Sequence, residues 1–328
     1  MNTYREKIKN WFWFNYPSIS VGLSADIKSR NKFEDYASLL GELSSIPDSS
    51  VVHLLNLMSS EFSDKKVISI RHDVDSDLAT ALKMSEMESK AGLVASYYFL
   101  PSAPYFRCRT NSIFERSPLL AKYIQKIDQN GGEIGLHLDC LNDSLKYGLS
   151  PRDSLNDELE WMRSTGAVVN GCASHGSYHL YGADNYEIFE GLTTEGRSEF
   201  VDLKGKTQKL GTEKMADYGL KYEANYLLGS LLREVPKNKY AVGKNGKWAL
   251  MVRAYDYQFS ILAHDEWCAS NHREIRRSGD VNLRILNTSQ MIKELIRLPT
   301  PCRIVIDIHP IYYGRTWGRV GLNRLRFI

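Results

Sequence analysis

The chain has little of what would mark a secreted or membrane protein. Its 328 residues include only five cysteines, which are dispersed and form no Cys-x-x-Cys pair. We therefore expect neither a disulfide framework nor a zinc knuckle, and a reducing compartment fits this cysteine usage better. No segment approaches the roughly 20 consecutive apolar residues that cross a bilayer. The apolar cluster near the N-terminus is too short for a signal-peptide core, so we predict a cytoplasmic protein without a transmembrane segment.

Charge of one sign is also scarce. The formal net charge of +3 is too weak to indicate a nucleic-acid partner by itself. An aromatic cluster at residues 11–16, close to three basic residues, is expected to pack onto the main domain, with peripheral membrane contact as an alternative. The arginine-rich tail from residue 314 is expected to be solvated, although it could bind a phosphate or an acidic surface.

The composition, with 43% hydrophobic and 25% charged residues, indicates a globular protein. No internal repeat or clear linker divides the chain. We therefore predict a helical extension over residues 1–66 and a single catalytic domain over residues 67–328.

From residue 67, apolar runs alternate with amphipathic segments. Strands are predicted at Val67–Asp75, Leu93–Leu100, Glu133–His137, Ala167–Ser174, Trp248–Ala263 (a strand or a hairpin) and Cys302–His309. Helices are predicted at Lys32–Leu43, Val51–Phe62, Ser76–Lys90, Ile113–Gln129, Pro151–Arg163, Tyr218–Leu232 and Leu283–Arg297. Alternation of strands and helices at this spacing is typical of parallel βαβ units.

The first predicted strand ends in two acidic residues. Alternate side chains of a strand share a face, so Ser69, Arg71, Asp73 and Asp75 point one way and His72 points the other, where it is expected to pack against a helix. Two adjacent carboxylates raise each other's pKa unless a cation lies between them. Arg71 or a divalent metal could supply that charge. The alternative is that these acids cap the helix that follows; we favour a catalytic or metal-binding role.

Other predicted strands also end in polar residues, namely His137, His175, and the pair Asp307 and His309. In a parallel α/β barrel the carboxyl ends of the strands converge on one mouth, where catalytic side chains collect. One aspartate and two neutral imidazoles make a suitable ligand set for Zn²⁺ or a similar divalent ion, with a position left open for water.

Further residues compete for a place in this ligand set. His175 and His179 are four residues apart, but Gly176 argues against a helix there. We therefore expect one ligand from this pair and favour His175, because it ends the strand. Cys172 is a conceivable soft ligand, although buried packing is the preferred interpretation. His264, which precedes two acidic residues, is a competing ligand or acid, with a surface cluster as its alternative.

At these residues the chain resembles the polysaccharide deacetylase superfamily, of the NodB-homology or carbohydrate esterase 4 type. It is most similar to the His-Asp-Val-Asp variants that occur with O-antigen and other surface-polysaccharide genes. The similarity runs from Val67 to Leu138 and from Ile304 to Pro310, about a third of the chain. Residues 71–75 resemble the first motif of the family, residues 133–137 its "GHEIGxH" element, and residues 306–310 its late "LxH" motif.

The resemblance implies a distorted (β/α)7-type barrel of parallel strands with an N-terminal helical extension. It also implies metal-dependent removal of an N-acetyl group from a sugar, most simply with Zn²⁺. By the same resemblance, Asp73 is the general base, Asp75 and His137 are metal ligands, and His309 is the general acid. Asp307 lies two residues before His309 on the same strand face and is expected to orient it and keep its pKa high.

The chain departs from the family pattern at two points. The second metal histidine of the family, four residues after the first, is Leu141 here, and we expect His175 to substitute from the next strand. The Arg-x-Pro-Tyr element of the family has no clear counterpart.

Two alternative functions stay open at this point. A non-catalytic relative would keep the barrel and bind a glycan or a protein, and the missing histidine is its best support. A glycosyltransferase would use Asp73-Val-Asp75 as an Asp-x-Asp metal motif, but it would leave His137 and His309 without roles.

Overall fold

The computed structural model describes most of the chain between residues 32 and 313. The described residues are 32–75, 77–103, 105–110, 113–176, 183–193, 197–201, 205, 207–227, 248–255, 258–264, 276–278 and 281–313. The aromatic cluster at residues 11–16, His179, the acidic pair after His264 and the basic tail from residue 314 lie outside the described residues.

Six α-helices and fifteen strands are present in the described ranges. The helices are α1 (Phe33–Ser44), α2 (Leu78–Lys90), α3 (Pro118–Gln129), α4 (Cys140–Tyr147), α5 (Pro151–Ser164) and α6 (Thr288–Arg297). The strands are β1 (Ser49–Val51), β2 (Lys66–Val74), β3 (Ala95–Phe99), β4 (Arg107–Thr110), β5 (Ile113–Arg116), β6 (Glu133–Leu138), β7 (Val169–Ser174), β8 (Glu199–Val201), β9 (Thr207–Lys209), β10 (Tyr222–Glu223), β11 (Trp248–Tyr255), β12 (Gln258–His264), β13 (Arg276–Ser278), β14 (Val281–Leu286) and β15 (Cys302–Ile308).

One large sheet organises the fold, with the strand order β10-β7-β6-β3-β2-β15-β12-β11-β14-β13 and β1 beside β2. The strands from β10 to β12 run parallel, whereas β11, β14 and β13 extend the sheet in antiparallel fashion. The parallel part curls into a half-barrel, which confirms a barrel-like α/β fold. The finer prediction of a (β/α)7 barrel is not confirmed, because no pairing among the described strands joins the β10 edge back to the other end of the sheet.

Three predicted helices differ from the structure: one is absent and two begin later than expected. The segment Val51–Phe62 is not a helix: Val51 pairs with β2, and two short 3₁₀ turns follow. The predicted helix from Ile113 begins only at Pro118, because a proline disfavours helical backbone at the residue before it. The predicted helix from Leu283 begins at Thr288, where Asn287 accepts a hydrogen bond from the backbone of Gln290 and caps it.

The predicted helix Tyr218–Leu232 is also wrong over its described part. Gly219 adopts a left-handed backbone with φ of 65°, which ends the preceding 3₁₀ turn, and the two-residue strand β10 follows. This difference matters for the site, because residues just after β10 turn towards the end of β7. Trp248–Ala263 is the predicted hairpin, formed by β11 and β12.

The strand β2 lies at the centre of the fold and is buried along its whole length. Its Ile68 and Ile70 share one hydrophobic core with Tyr36 and Leu43 of α1. The extension predicted over residues 1–66 thus contributes α1 to the main core and β1 to the main sheet, and the boundary at residue 66 stays a prediction.

A buried polar cluster fixes the orientation of β2. His72 points away from the acids and its Nε2 lies 2.6 Å from Glu88 of α2, as the alternation of the strand predicted. Tyr97 donates to the same carboxylate at 2.6 Å, and Tyr36 also donates to it. Because His72 is held on this side, Arg71 and Asp73 must face the opposite side of the sheet.

Candidate metal centre

The carboxyl ends of four parallel strands of the sheet, β7, β6, β2 and β15, bring the predicted site residues together, with β3 between β6 and β2. Ligand atoms of Asp75, His137 and His175 lie within 4.8 Å of one another, after β2, on β6 and after β7. Ligand atoms of a second set, Asp73, Asp307 and His309, also lie within 4.8 Å of one another. Residues separated by more than two hundred positions in the sequence therefore meet at one edge of the sheet.

The separation between His137 and Asp75 suits a shared ion. His137 Nε2 lies 3.4 Å from Asp75 Oδ1. Two ligands of one tetrahedral zinc ion, each about 2.1 Å from the metal, lie roughly 3.4 Å apart. Within the described part of the chain, Asp75 Oδ1 is buried and has no hydrogen-bond partner. A buried carboxylate oxygen without a donor is costly, and a divalent cation at this point would satisfy it. The residues therefore fit a divalent metal.

The hydrogen bond made by His137 sets the tautomer that a metal needs. Its ring is buried, and Nδ1 lies 2.8 Å from the carbonyl oxygen of Ala173 on β7. A carbonyl only accepts, so Nδ1 must carry the proton and donate. In the neutral ring the lone pair is then on Nε2, which faces the two aspartates at 3.4 and 3.5 Å. Such backbone support is typical of metal-ligating histidines.

Asp73 is held by Arg71 from the same strand face. The guanidinium donates to both carboxylate oxygens, from Nε at 2.7 Å and from Nη2 at 2.6 Å. Burial alone would raise the pKa of Asp73, but Arg71, with smaller contributions from His137 and His309, holds it well below the usual range. Asp73 is therefore ionised at neutral pH. The cation expected between the acids of the first strand is, for Asp73, an arginine.

Arg71 is itself fixed by residues far along the chain. It donates through Nη1 to Asn225, whose amide in turn donates to the Ser174 carbonyl at 2.9 Å. The guanidinium lies 5.6 Å from the centre of the Tyr98 ring, and its Nε lies 3.8 Å from Asp307. A guanidinium against both aspartates supplies the positive charge of this half of the site. The charges of Asp73 and Asp307 are therefore already partly balanced by an arginine of the chain itself.

Asp307 has a raised pKa because of its buried position in the site. Burial raises the pKa of Asp307 to about 6, because the nearby charge of Asp73 adds to desolvation and Arg71 only partly offsets both. His309, which follows β15, is 5% exposed and its charge acts in the opposite direction on Asp307.

The helix-capping interpretation of the strand-end acids does not apply. The residue that caps α2 is Asp77, whose carboxylate accepts from the backbone of Thr80 at 3.0 Å. Asp73 and Asp75 are left for the site.

His175, which follows β7, lies beside His137 and Asp75, as predicted. Its ring packs edge-on against His137 with 5.2 Å between ring centres, and its Nδ1 lies 3.5 Å from Asp139. Burial lowers the pKa of His175, but Asp139, Asp75 and Asp73 outweigh it and raise the pKa to about 9. Leu141, at the family's histidine position, is fully buried in the core.

The remaining candidates lie apart from this group or outside the described residues. Cys172 is buried, its Sγ donates to the Tyr222 carbonyl at 3.9 Å, and burial raises the pKa of its thiol, so the packing interpretation fits. His179 and the side chain of His264 are outside the described residues.

Sequence reasoning missed two residues that support the site, Asn225 and Asp139. Asn225 fell inside the predicted helix Tyr218–Leu232, which is wrong over its described part. Asp139 comes two residues after His137 in the sequence, and this closeness to a predicted ligand was the available signal.

Comparison of the chain with protein-family models, with curated proteins and with solved structures found no match in any of the three. Among the described residues, no helix combines the length and the apolar character that a bilayer crossing requires.

Proposed function

We propose that the chain is a metal-dependent N-deacetylase that acts on an amino sugar in surface-polysaccharide biosynthesis. The observation that carries this proposal is the common position of Asp75, His137 and His175 at the carboxyl edge of the parallel strands. One carboxylate and two imidazoles favour zinc among the divalent ions. The resemblance to polysaccharide deacetylases includes Asp75 and His137 of this set and supports the same reaction class.

The chemistry requires an activated water and an acid–base pair. A divalent ion held by Asp75, His137 and His175 would lower the pKa of a bound water and polarise the carbonyl oxygen of the N-acetyl group. Asp73 lies beside these ligands, 3.5 Å from His137 Nε2, and accepts the proton of the water. Because Arg71 keeps the pKa of Asp73 low, Asp73 is a weak base by itself and depends on an acidified water.

His309 is the group that would protonate the leaving amine. A nitrogen of its ring lies within 4.8 Å of carboxylate oxygens of Asp73 and Asp307, and the ring would donate as an imidazolium. Asp307, ionised above about pH 6, stabilises that imidazolium. Arg71 positions Asp73 and balances the charge of the two aspartates.

The glycosyltransferase alternative is disfavoured by one contact. Both oxygens of Asp73 accept hydrogen bonds from Arg71, so an Asp-x-Asp motif would have to give up a buried ion pair to bind a nucleotide-held metal.

We also propose a cytoplasmic location, in keeping with a reducing compartment. Cys140, Cys172 and Cys302 are free and buried.

The proposal is tested by acetate release from a panel of N-acetylated amino sugars, both free and nucleotide-linked, with the zinc-loaded chain. We expect release from at least one member of the panel, and Asp73→Asn should abolish turnover while the zinc content stays unchanged. Asp77→Asn is the matched control, because asparagine also caps a helix and activity should be kept.

Two results would replace the proposal. Stoichiometric zinc without acetate release from any member of the panel would favour a non-catalytic binder. A strong thermal shift with a nucleotide sugar, without hydrolysis, would favour the transferase.

A further inference from the structure

The carboxylate of Asp139 is surrounded by donors from four separate parts of the chain. The Ser102 hydroxyl donates to Oδ2, Asn142 donates to the same oxygen at 2.8 Å, and Asn185 donates to Oδ1 at 3.3 Å. His175 Nδ1 lies 3.5 Å from Oδ1. The residue is 3% exposed, so these groups stand in for water.

The position of Asp139 in the fold does not by itself explain these contacts. Asp139 is the N-cap residue of α4, yet its side chain makes no capping hydrogen bond to the helix backbone. The carboxylate is turned instead towards the loop after β7, where Asn185 also donates to the His175 carbonyl at 3.0 Å. Asn185 therefore links the Asp139 carboxylate to the backbone carbonyl of His175.

The chemistry of a metal-ligating histidine gives this arrangement a purpose. A histidine can bind a metal through one nitrogen while the other donates to a carboxylate, which fixes the ring and increases the basicity of the ligand. The ring of His137 is fixed by a backbone carbonyl on β7. His175 directly follows β7, its backbone N–H donates to the Leu138 carbonyl at 2.9 Å, and its ring Nδ1 faces Asp139. A carboxylate whose second oxygen is fully satisfied can fix the orientation of that ring.

We propose that Asp139 is a positioning residue that orients His175 and holds its proton on Nδ1, so that Nε2 is the nitrogen that binds the metal. This inference rests on the metal site of the proposed function and deepens it. It explains how a chain with Leu141 at the position of a family ligand can still complete a three-residue shell from a different strand. Ser102, Asn142 and Asn185 hold Asp139 in place for this role.

The test is the zinc affinity of the whole chain, measured by competition with a chromophoric chelator and without any substrate. Asp139→Asn should weaken zinc binding about 10–100-fold. Ser102→Ala, which removes one donor to Asp139, should cause a smaller loss. The matched control is Asp143→Asn, a buried carboxylate on the same helix that pairs with Arg107 and not with a histidine. This control should leave the zinc affinity unchanged, even where it lowers thermal stability.

A second measurement separates positioning from mere stability. Long-range ¹H–¹⁵N correlation spectra of the zinc-loaded chain should show His175 with a protonated Nδ1 and a metal-bound Nε2. Equal zinc affinity of Asp139→Asn and the unaltered chain would overturn the inference, and so would a metal-bound Nδ1. Neither result touches the deacetylase proposal, since that is judged by acetate release; conversely, a chain that binds zinc as described but releases no acetate would keep this inference and remove the deacetylase.

Discussion

Replacement of Arg71 by methionine tests the electrostatics of the site most severely. Methionine keeps an unbranched apolar stem but removes the guanidinium, which donates to both oxygens of Asp73 and lies 3.8 Å from Asp307. Both members of the Arg71–Asp73 pair are almost fully buried, at 3% and 5% side-chain exposure. Loss of one partner of a buried ion pair costs about 3–5 kcal/mol, and we expect Arg71→Met to lower the free energy of unfolding by that amount at pH 8.

The loss of unfolding free energy caused by Arg71→Met should be smaller at lower pH. With Arg71 present, the pKa of Asp73 lies below its unfolded value of 3.8, so its ionised form adds stability at neutral pH. Without Arg71, burial dominates and the pKa of Asp73 rises above that value. An acid whose pKa is higher in the folded chain than in the unfolded chain lowers the free energy of unfolding as the pH rises between these two values. The difference between variant and unaltered chain should therefore be smaller at pH 5 than at pH 8.

The assay is urea unfolding at both pH values, followed by the change in secondary structure. Arg71→Met combined with Asp73→Asn should cost less than the sum of the single changes by at least about 1 kcal/mol, because the two residues interact directly. Arg297→Met is the matched control, since Arg297 is 74% exposed and pairs with Glu294 only on the surface. It should change stability by less than about 0.5 kcal/mol. Additive single effects, or an Arg71→Met deficit below about 1 kcal/mol at pH 8, would refute the reasoning.

Three further predictions concern Asp307 beside His309, the buried Glu223, and Gly171 on β7. Asp307→Asn removes the charge that stabilises the His309 imidazolium, so the alkaline limb of the pH–rate profile should move to lower pH; an unmoved limb would exclude this pairing. Burial raises the pKa of Glu223 to about 7 from 4.5, against the donors at Ser174, so its ionisation costs stability between about pH 4.5 and 7. Glu223→Gln should therefore gain up to about 3 kcal/mol relative to the unaltered chain between pH 5 and pH 8 in urea unfolding, whereas a pH-independent difference would contradict the assignment. Gly171→Ala would place its Cβ 2.1 Å from the Tyr222 ring and should lower the free energy of unfolding by about 1–3 kcal/mol. Gly41→Ala on α1 is the control: a Cβ there would meet no atom within 4 Å, so this change should not lower the free energy of unfolding.

The parts of the fold that depend on local periodicity could be predicted from the sequence. The alternation of Arg71, His72 and Asp73 along β2 placed each side chain on the correct face, because the period of a strand is two residues. The alternation of strands and helices gave the parallel sheet. The three strand ends that carry Asp75, His137 and His175 could be expected to converge, since parallel strands share one carboxyl edge.

Other features depend on contacts that local sequence does not encode. The helix starts at Pro118 and Thr288 were missed because apolar residues of the strands before them, β5 and β14, were assigned to the helices. The sheet curls without closing among the described strands, and closure depends on strand tilt and register around the whole sheet rather than on any segment. Asn225 reaches Arg71 only through the tertiary position of β10.

The central claim is that one metal ion joins Asp75, His137 and His175. Anomalous scattering at the zinc edge from a crystal of the chain grown with zinc measures this directly. We predict one strong peak per chain, within about 2.3 Å of a carboxylate oxygen of Asp75 and a ring nitrogen of each histidine. A map without a peak between these three side chains, or with the zinc on a different set of residues, would contradict the account.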